Sequence, residues 1–207
     1  AGQPWYRDES HLLHLGLGYS HLFRDDEEDG ARLRFRTRPE THITDMRLAD
    51  TGRFFADNAD KLTPELAFVY GPFSLQGEYF WNDTDASDVD DPTFTGWYVF
   101  GSWFITGEGR TYKQSSAKFD RVKPNDNFSI GEPGWGAWEL AARYSTVDLS
   151  DSDIKGGEEQ NFTAGLNWYL NPNTRLMFNY VYADLEKRAD VKDDDINVLQ
   201  ARFQVDF

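Results

Sequence analysis

The sequence predicts an all-β fold, an antiparallel transmembrane β-barrel of which about nine strands lie in this chain. Segments of about ten residues alternate apolar and polar side chains, which is the period of a β-strand. The apolar positions are rich in Trp, Tyr and Phe, although the chain as a whole is polar, with a mean hydropathy of −0.68. The chain ends on Phe207, in phase with Phe203 and Val205, as the last strand of bacterial outer-membrane barrels does.

Nine segments carry this alternation. They cover residues 11–23, 31–40, 65–70, 73–82, 94–107, 135–147, 160–170, 175–184 and 196–207. In the first, Leu13, Leu15 and Leu17 share one face, and His14 and Gly16 share the other. One face of these segments is apolar and edged by Trp and Tyr, and the other is rich in Gly, Asn, Gln, Glu and Arg. This pattern is typical of strands with lipid on one side and water on the other.

The second segment carries four arginines at every second position, Arg32, Arg34, Arg36 and Arg38. In a strand they share one face, and Leu33 and Phe35 share the other. A charged side chain facing lipid near the bilayer midplane costs about 2 to 4 kcal/mol. The arginines are therefore expected to face the lumen as a ladder about 20 Å long, with the apolar residues toward lipid. A solvated outer face of a soluble sheet is the alternative interpretation.

The links between strands sort by parity. If the C-terminus is periplasmic, the short links at 71–72 and 171–174 are periplasmic. The acidic links at 83–93, 148–159 and 185–195 then lie on the outer side. The same count makes the first strand run from the outer side inward, and it places the acidic run at 25–29 in an inner link.

Two long links depart from this pattern, at 39–63 and 108–134. Connections of this length without a strand pattern usually fold over something or are disordered, so either is expected to be able to enter a lumen. Their basic side chains are candidate pore-loop residues: Arg47, Arg53, Lys113, Lys118 and Lys123. Inward charges on the strands, Glu78, Glu139 and Arg143, are expected to pair with charges on neighbouring strands.

Composition excludes several function classes. The 207 residues allow one β-barrel domain, 1–207, and no run of apolar residues is long enough for a transmembrane helix. A net charge of −15 argues against nucleic-acid binding. The absence of cysteine rules out disulfides and thiolate metal sites. The four histidines are too scattered for a ligand set and no nucleophile has a recognisable context, so neither an enzyme nor a metal or cofactor site is predicted.

Several stretches resemble one family, the phosphate-selective porins O and P of Gram-negative outer membranes. They are RLRFRTRPETH, LADTGRFF, ELAFVYGPFSLQGEYFW, GWYVFGSWFITGEGRTY, RVKP, GAWELAARYSTVDL, GLNWYLNPNTRLMFNYVYA and FQVDF, in the family's order. The resemblance implies a homotrimer of barrels with about sixteen strands, of which these are the last nine. It also implies a pore lined by an arginine ladder, here Arg32, Arg34 and Arg36 with Arg38 continuing the spacing, and loops that fold inward.

The expected function is therefore passive, anion-selective passage of phosphate or polyphosphate through the outer membrane. Outer-membrane lipid and lipopolysaccharide are the expected surroundings, the latter beside the acidic loops. Two alternatives stay open. One is a general or sugar diffusion porin; the other is a structural or adhesive barrel whose acidic loops bind partners.

Overall fold

The computed structural model describes residues 1–23, 32–131, 133–189 and 194–207. The acidic run at 25–29 and part of the acidic link at 185–195 lie outside these residues. The strands of the described chain are β1 (Gly2–Asp8), β2 (His11–Phe23), β3 (Arg32–Leu33), β4 (Phe54–Tyr70), β5 (Phe73–Ala86), β6 (Thr93–Phe104), β7 (Tyr112–Lys113), β8 (Lys118–Phe119), β9 (Ala137–Asp151), β10 (Ile154–Asn171), β11 (Thr174–Arg188) and β12 (Asp194–Val205). Across the same residues, no helix is long and apolar enough to span a bilayer.

One antiparallel sheet dominates the fold. Its strands follow the order β1-β2-β4-β5-β6-β9-β10-β11-β12, and β3 pairs with β4 beside this path. The sheet is not closed: β1 and β12 are the two edges of the order. Strands β7 and β8 form a separate two-stranded ribbon. The predicted all-β, antiparallel class with about nine long strands is confirmed.

The connections fall on two opposite ends of the sheet, as the parity argument predicted. One end, the hairpin end, carries the tight links at 9–10, 71–72 and 172–173. At the second of these, Gly71 has a φ of 57°, a conformation that glycine adopts without strain. The other, the acidic end, carries the links at 87–92 and 152–153. The two long links lie on different ends: the one that contains 32–53 lies at the acidic end, and the one that contains 105–131 and 133–136 lies at the hairpin end.

The predicted second strand is wrong, and it changes the path of the chain. Only Arg32–Leu33 pairs with β4, and the rest of the arginine-rich stretch has one isolated bridge, from Arg36 to Asp50. Strand β2 pairs directly with β4, from His11 opposite Tyr70 onward. Residues 32–53 therefore lie in a link at the acidic end, between β2 and β4, and β2 runs toward that end, opposite to the predicted direction.

Two further differences concern strand length. Strand β1, with the sequence GQPWYRD, lies outside the predicted set and pairs with β2 through a shifted register. Strand β4 begins at Phe54, well before the predicted residue 65. The count of nine long strands stands because β1 takes the place of the arginine stretch.

The two faces of the sheet differ as the alternation predicted. Large apolar side chains on one face are exposed, among them Leu15, Leu17, Tyr19, Leu75, Trp97, Val99, Trp103, Leu140, Phe162, Phe178, Leu199 and Phe203. On this face Trp138 and Trp168 are directly paired across β9 and β10, and their rings stack with centroids 4.9 Å apart. The opposite, inner face carries the polar residues and buried clusters.

The buried core lies between the inner face and the two long links. One cluster gathers Phe54, Phe94 and Leu149, and Leu33 and Phe35 of the first link pack against it. A second cluster gathers Leu12, Val69 and Tyr112, with Phe119 of the other link packed against it. Both long links therefore fold back over the inner face of the sheet.

Candidate functional site

The arginine segment, defined here as residues 32–53, folds over the inner face as a narrow loop. Its two halves are joined by backbone hydrogen bonds from Thr37 N to Ala49 O, 2.9 Å, and from Thr51 N to Phe35 O, 3.0 Å. Phe35 lies 5.2 Å from Phe94, ring centroid to centroid. The prediction that Leu33 and Phe35 face lipid is therefore wrong, since both pack against the interior cluster.

The segment is tied to the wall at a second place, residues 47–50 of its returning half. Asp50 N donates to Gly156 O over 2.7 Å. The Arg188 guanidinium donates to the backbone oxygens of Arg47 and Leu48, at 2.7 and 2.8 Å. These contacts fix the returning half of the loop against β10 and β11.

Glu40 forms the third attachment. Its Oε1 accepts a hydrogen bond from Ser145 Oγ over 2.6 Å, and its Oε2 accepts one from Thr163 Oγ1. Arg143 Nε lies 2.9 Å from Oε1 as an ion pair. The Glu40 backbone oxygen also accepts a hydrogen bond from Gln200 Nε2, 3.3 Å. One residue thus contacts β9, β10 and β12.

The four arginines of the expected ladder have different surroundings. The Arg32 guanidinium lies 4.6 Å from the centroid of the Phe55 ring. Arg34 is bidentate to the buried carboxylate of Asp50, through Nε to Oδ1 at 2.7 Å and Nη2 to Oδ2. Because Arg34 hydrogen-bonds this carboxylate, the pKa of Asp50 is lowered and that of Arg34 is raised.

The other two arginines, Arg36 and Arg38, are not paired with a buried carboxylate among the described residues. Arg38 contacts His42 Nδ1 at 2.7 Å and the fully exposed Asp45 at 3.1 Å. Within the described part of the chain, the Arg36 guanidinium has no carboxylate or hydrogen-bond partner. The evenly spaced arginines therefore divide into a structural member, Arg34, and an available one, Arg36.

Arg36 and Arg38 line a cavity of about 460 Å³ between the arginine segment and the sheet. Lys61 of β4 and Arg143 of β9 line the same cavity. The Lys61 ammonium lies 5.1 Å from the centroid of the Phe80 ring, and no described carboxylate pairs with it. Four cations thus face one space on the inner face.

The charges near the cavity affect the pKa of the neighbouring Arg47. Burial lowers the pKa of its guanidinium, and the positive charges of Arg38 and Arg36 lower it further. Arg36 and Arg38 thus lie close enough to add positive charge at Arg47, while Asp45 and Asp50 oppose this effect. A guanidinium offers a planar fork of donors that matches two oxygens of a phosphate, whereas lysine acts as a point charge. The cavity has the chemistry of an anion site.

The remaining predicted basic residues lie elsewhere. Arg53 lines a separate cavity at the acidic end, with Arg34 and Asp50. Lys113 and Lys118 pair across the ribbon of β7 and β8 at the hairpin end, and both are exposed. Lys123 is also exposed, further along the same link. Among the described residues that line the cavity of Arg36 there is neither Arg47 nor Arg53 nor any of these lysines.

The second long link, residues 105–136, is fixed by buried polar contacts. Arg110 Nη2 lies 2.8 Å from Oε1 of the fully buried Glu139, which also accepts hydrogen bonds from Asn167 and Tyr169. The Tyr112 hydroxyl lies 2.7 Å from Nδ1 of the buried His14. This link closes over the hairpin end of the inner face.

The expectation that inward charges pair between neighbouring strands is wrong for two residues. Glu139 pairs with Arg110 and Arg143 pairs with Glu40, so both partners come from the long links. Glu78 accepts a hydrogen bond from Tyr98 on the next strand, over 2.6 Å, and this partner is a phenol. Lys61, Arg143 and Glu40 are the site residues that sequence reasoning did not assign. The inward position of Arg143 was the one available signal.

Comparison of the sequence with known proteins gives the family of the chain. The family model described as phosphate-selective porin O and P matches residues 4–207. An uncharacterized protein of Caulobacter vibrioides is 30% identical over 199 residues, which cover 94% of this chain and 39% of that protein. Porin O of Pseudomonas aeruginosa is 28% identical over 218 residues, covering 91% of this chain and 47% of its own. The chain spans less than half the length of these two relatives. With the match running along nearly every strand described above, the chain belongs to the family of phosphate-selective porins O and P.

Proposed function

We propose that this chain is part of a Gram-negative outer-membrane porin that passes phosphate or polyphosphate passively through an arginine-lined pore. The observation that carries the proposal is the Arg36 guanidinium, which faces a cavity on the inner face and has no carboxylate partner among the residues that the structure describes. Family membership and the similarity to a protein named Porin O support it. The proposed activity is that of a channel and not of an enzyme.

The surroundings of Arg36 suit a passing anion. Arg38 and Lys61 add positive charge at the same cavity, and Glu40 and Glu159 add negative charge beside it. Passage requires binding that is favourable enough for entry and weak enough for exit. Several partly compensated cations in sequence meet that requirement better than one fully uncompensated cluster. Of the other three arginines, Arg38 lines the same cavity and Arg32 extends the proposed path toward the acidic end, whereas Arg34 is held by Asp50.

In the whole protein we propose that these nine long strands form one part of a larger closed barrel, with residues 1–207 as a single barrel domain. The exposed apolar face would then contact lipid, and the acidic end would face lipopolysaccharide. A homotrimer is the assembly that the family resemblance implies. Arg47, Arg53, Lys113, Lys118 and Lys123 are proposed as pore-loop cations that attract anions toward the path.

The test is chloride conductance of the reconstituted porin in a planar bilayer, titrated with phosphate. We expect phosphate to block the chloride current, and Arg36→Ala to raise the half-blocking concentration about tenfold, the size of one charge-assisted hydrogen bond. Arg121→Ala is the matched control, because its guanidinium contacts Asn173 at the hairpin end. A current that phosphate does not change, in either protein, would contradict the proposal and favour a general diffusion porin.

A further inference from the structure

We propose that Glu40 is a positioning residue for anion passage. It holds the arginine segment across the inner face so that Arg36 and Arg38 line the cavity, and it neutralises Arg143. The inference rests on the proposed function for its effect on phosphate, and on the contacts of Glu40 for everything else.

The first step is the reach of the carboxylate. Ser145, Thr163 and Arg143 lie more than 100 positions along the chain from Glu40, and all three contact its two carboxylate oxygens. The Glu40 side chain is 17% exposed, so these contacts form largely out of water. A carboxylate largely removed from water, with two hydroxyl donors and one cation beside it, is strongly held, because each lost contact would leave a buried charge less satisfied.

The second step is the backbone at the turn. Pro39 is fully buried, and Glu40 follows it with a φ of 46°. This is the left-handed backbone region, which residues other than glycine rarely adopt. Glu40 N donates to Arg38 O over 2.7 Å, which closes the turn. The chain thus accepts an unfavourable backbone conformation at the residue whose side chain reaches the wall. Arg38, two residues earlier, is left facing the cavity.

The third step is charge. Arg143 lies over the Tyr98 ring, with its guanidinium carbon 4.1 Å from the ring centroid, and it pairs with Glu40. Of the four cations that line the cavity, this one is balanced by a carboxylate within the same cavity. Glu40 therefore sets both where the arginine segment lies and how many cations remain available to an anion.

Two substitutions separate these roles. Glu40→Ala removes the attachment, and we expect it to raise the half-blocking phosphate concentration about tenfold. Glu40→Gln removes only the charge, because hydroxyls can either donate to or accept from an amide. It should leave the half-blocking concentration within about threefold of wild type and shift the reversal potential toward greater anion selectivity, since Arg143 is then unbalanced.

A double-mutant cycle distinguishes positioning from general damage. If Glu40 acts through the arginines, Glu40→Ala should change phosphate block less than about twofold when Arg36 and Arg38 are already alanine. Full additivity, or an unchanged block in the single variant, would overturn the proposal. Should Glu40→Ala fail to assemble, Ser145→Ala with Thr163→Ala removes two of its partners and should weaken phosphate block in the same direction. No change in that pair would also overturn it.

A thiol readout keeps this inference separate from the proposed function. The 207 residues contain no cysteine, so Arg38→Cys introduces the single thiol of this chain. We expect Glu40→Ala to change its rate of modification by a charged, membrane-impermeant thiosulfonate at least fivefold, and Glu40→Gln to change it little. Absence of phosphate block in wild type would defeat the proposed function alone, whereas an equal rate with and without Glu40 would defeat the positioning role.

Discussion

The two links that fold over the inner face use their arginines differently. In the link at the hairpin end, Arg110 binds Glu139, a carboxylate with no exposed surface. In the arginine segment, Arg34 binds the buried Asp50, but Arg36 meets no described carboxylate. The same side chain therefore attaches a loop in one place and lines a cavity in another.

This difference shows that arginines in the two links do not all have the same surroundings. The role of an arginine depends on whether a carboxylate lies within hydrogen-bond distance of its guanidinium and whether water can reach it. Arg110 and Arg34 each satisfy a carboxylate that would otherwise be buried and uncompensated, so their charge is not available to an ion in transit. Arg36 has no carboxylate partner in the described part of the chain, so its charge remains available to the anion of the proposed path.

The largest effect should come from Arg110→Ala. It leaves Glu139 buried without its cation, and removing one partner of a buried pair costs about 3 kcal/mol or more. We expect the free energy of unfolding in lipid vesicles, measured by urea titration, to fall by about that amount. Arg121→Ala, on the same link but in contact with Asn173, should change it little. Equal stability of both variants would show that the two links do not differ as described.

An intermediate effect is expected from Asp50→Asn, which breaks the bidentate pair with Arg34. At pH 7 the backbone amides of Thr37 and Thr51 should lose protection from hydrogen exchange about tenfold, the size of one charge-assisted hydrogen bond. Arg34 lowers the pKa of Asp50 below its ordinary value of 3.8. The stabilisation is therefore complete above that value and is lost as the pH falls through the lowered pKa.

The comparison of wild type with Asp50→Asn across pH gives the check. Their difference in protection should stay constant from pH 7 down to about pH 5 and shrink below the ordinary carboxyl pKa. A difference that disappears already near pH 6 would assign the effect to a histidine and not to this pair.

The smallest effect should come from the exposed lysines of the hairpin-end link. Replacing Lys113, Lys118 and Lys123 together by Gln should raise the half-blocking phosphate concentration about twofold at low salt, because they attract anions over a distance. In about 1 M salt the effect should vanish, since the Debye length is then about 3 Å. Lys155→Gln, at the acidic end, is the matched control. A large effect that persists in high salt would indicate direct contact with the anion.

The long strands of the sheet were predictable because their two faces meet different surroundings. Alternation in stretches such as 11–23 and 175–184 reflects an exposed apolar face and a polar inner one. Strand β1 was not predicted because its sequence, GQPWYRD, contains a proline and charged residues on both faces. The beginning of β4 was not predicted for a similar reason, since its sequence from residue 56 to 65, ADNADKLTPE, has no apolar face.

The arginine segment shows where local pattern stops being informative. Alternation of apolar and polar residues with a period of two indicates an extended backbone. A loop that packs between its own returning half and the sheet is extended as well. Leu33 and Phe35 are apolar because they meet Phe54 and Phe94, residues that the chain brings near only after folding. For the same reason no spacing rule could pair Glu40 with Arg143 or Arg110 with Glu139. Pairing across that sequence distance depends on the tertiary fold.

The stacked Trp138 and Trp168 provide an optical consequence. Two indoles in van der Waals contact, here inclined by 15°, couple their electronic transitions and give a split signal in circular dichroism. The coupling requires β9 and β10 to pair with these two residues directly opposite one another. A register slip would separate the chromophores and remove the signal. Its rise during refolding into vesicles would time the formation of the β9–β10 hairpin, with no added label.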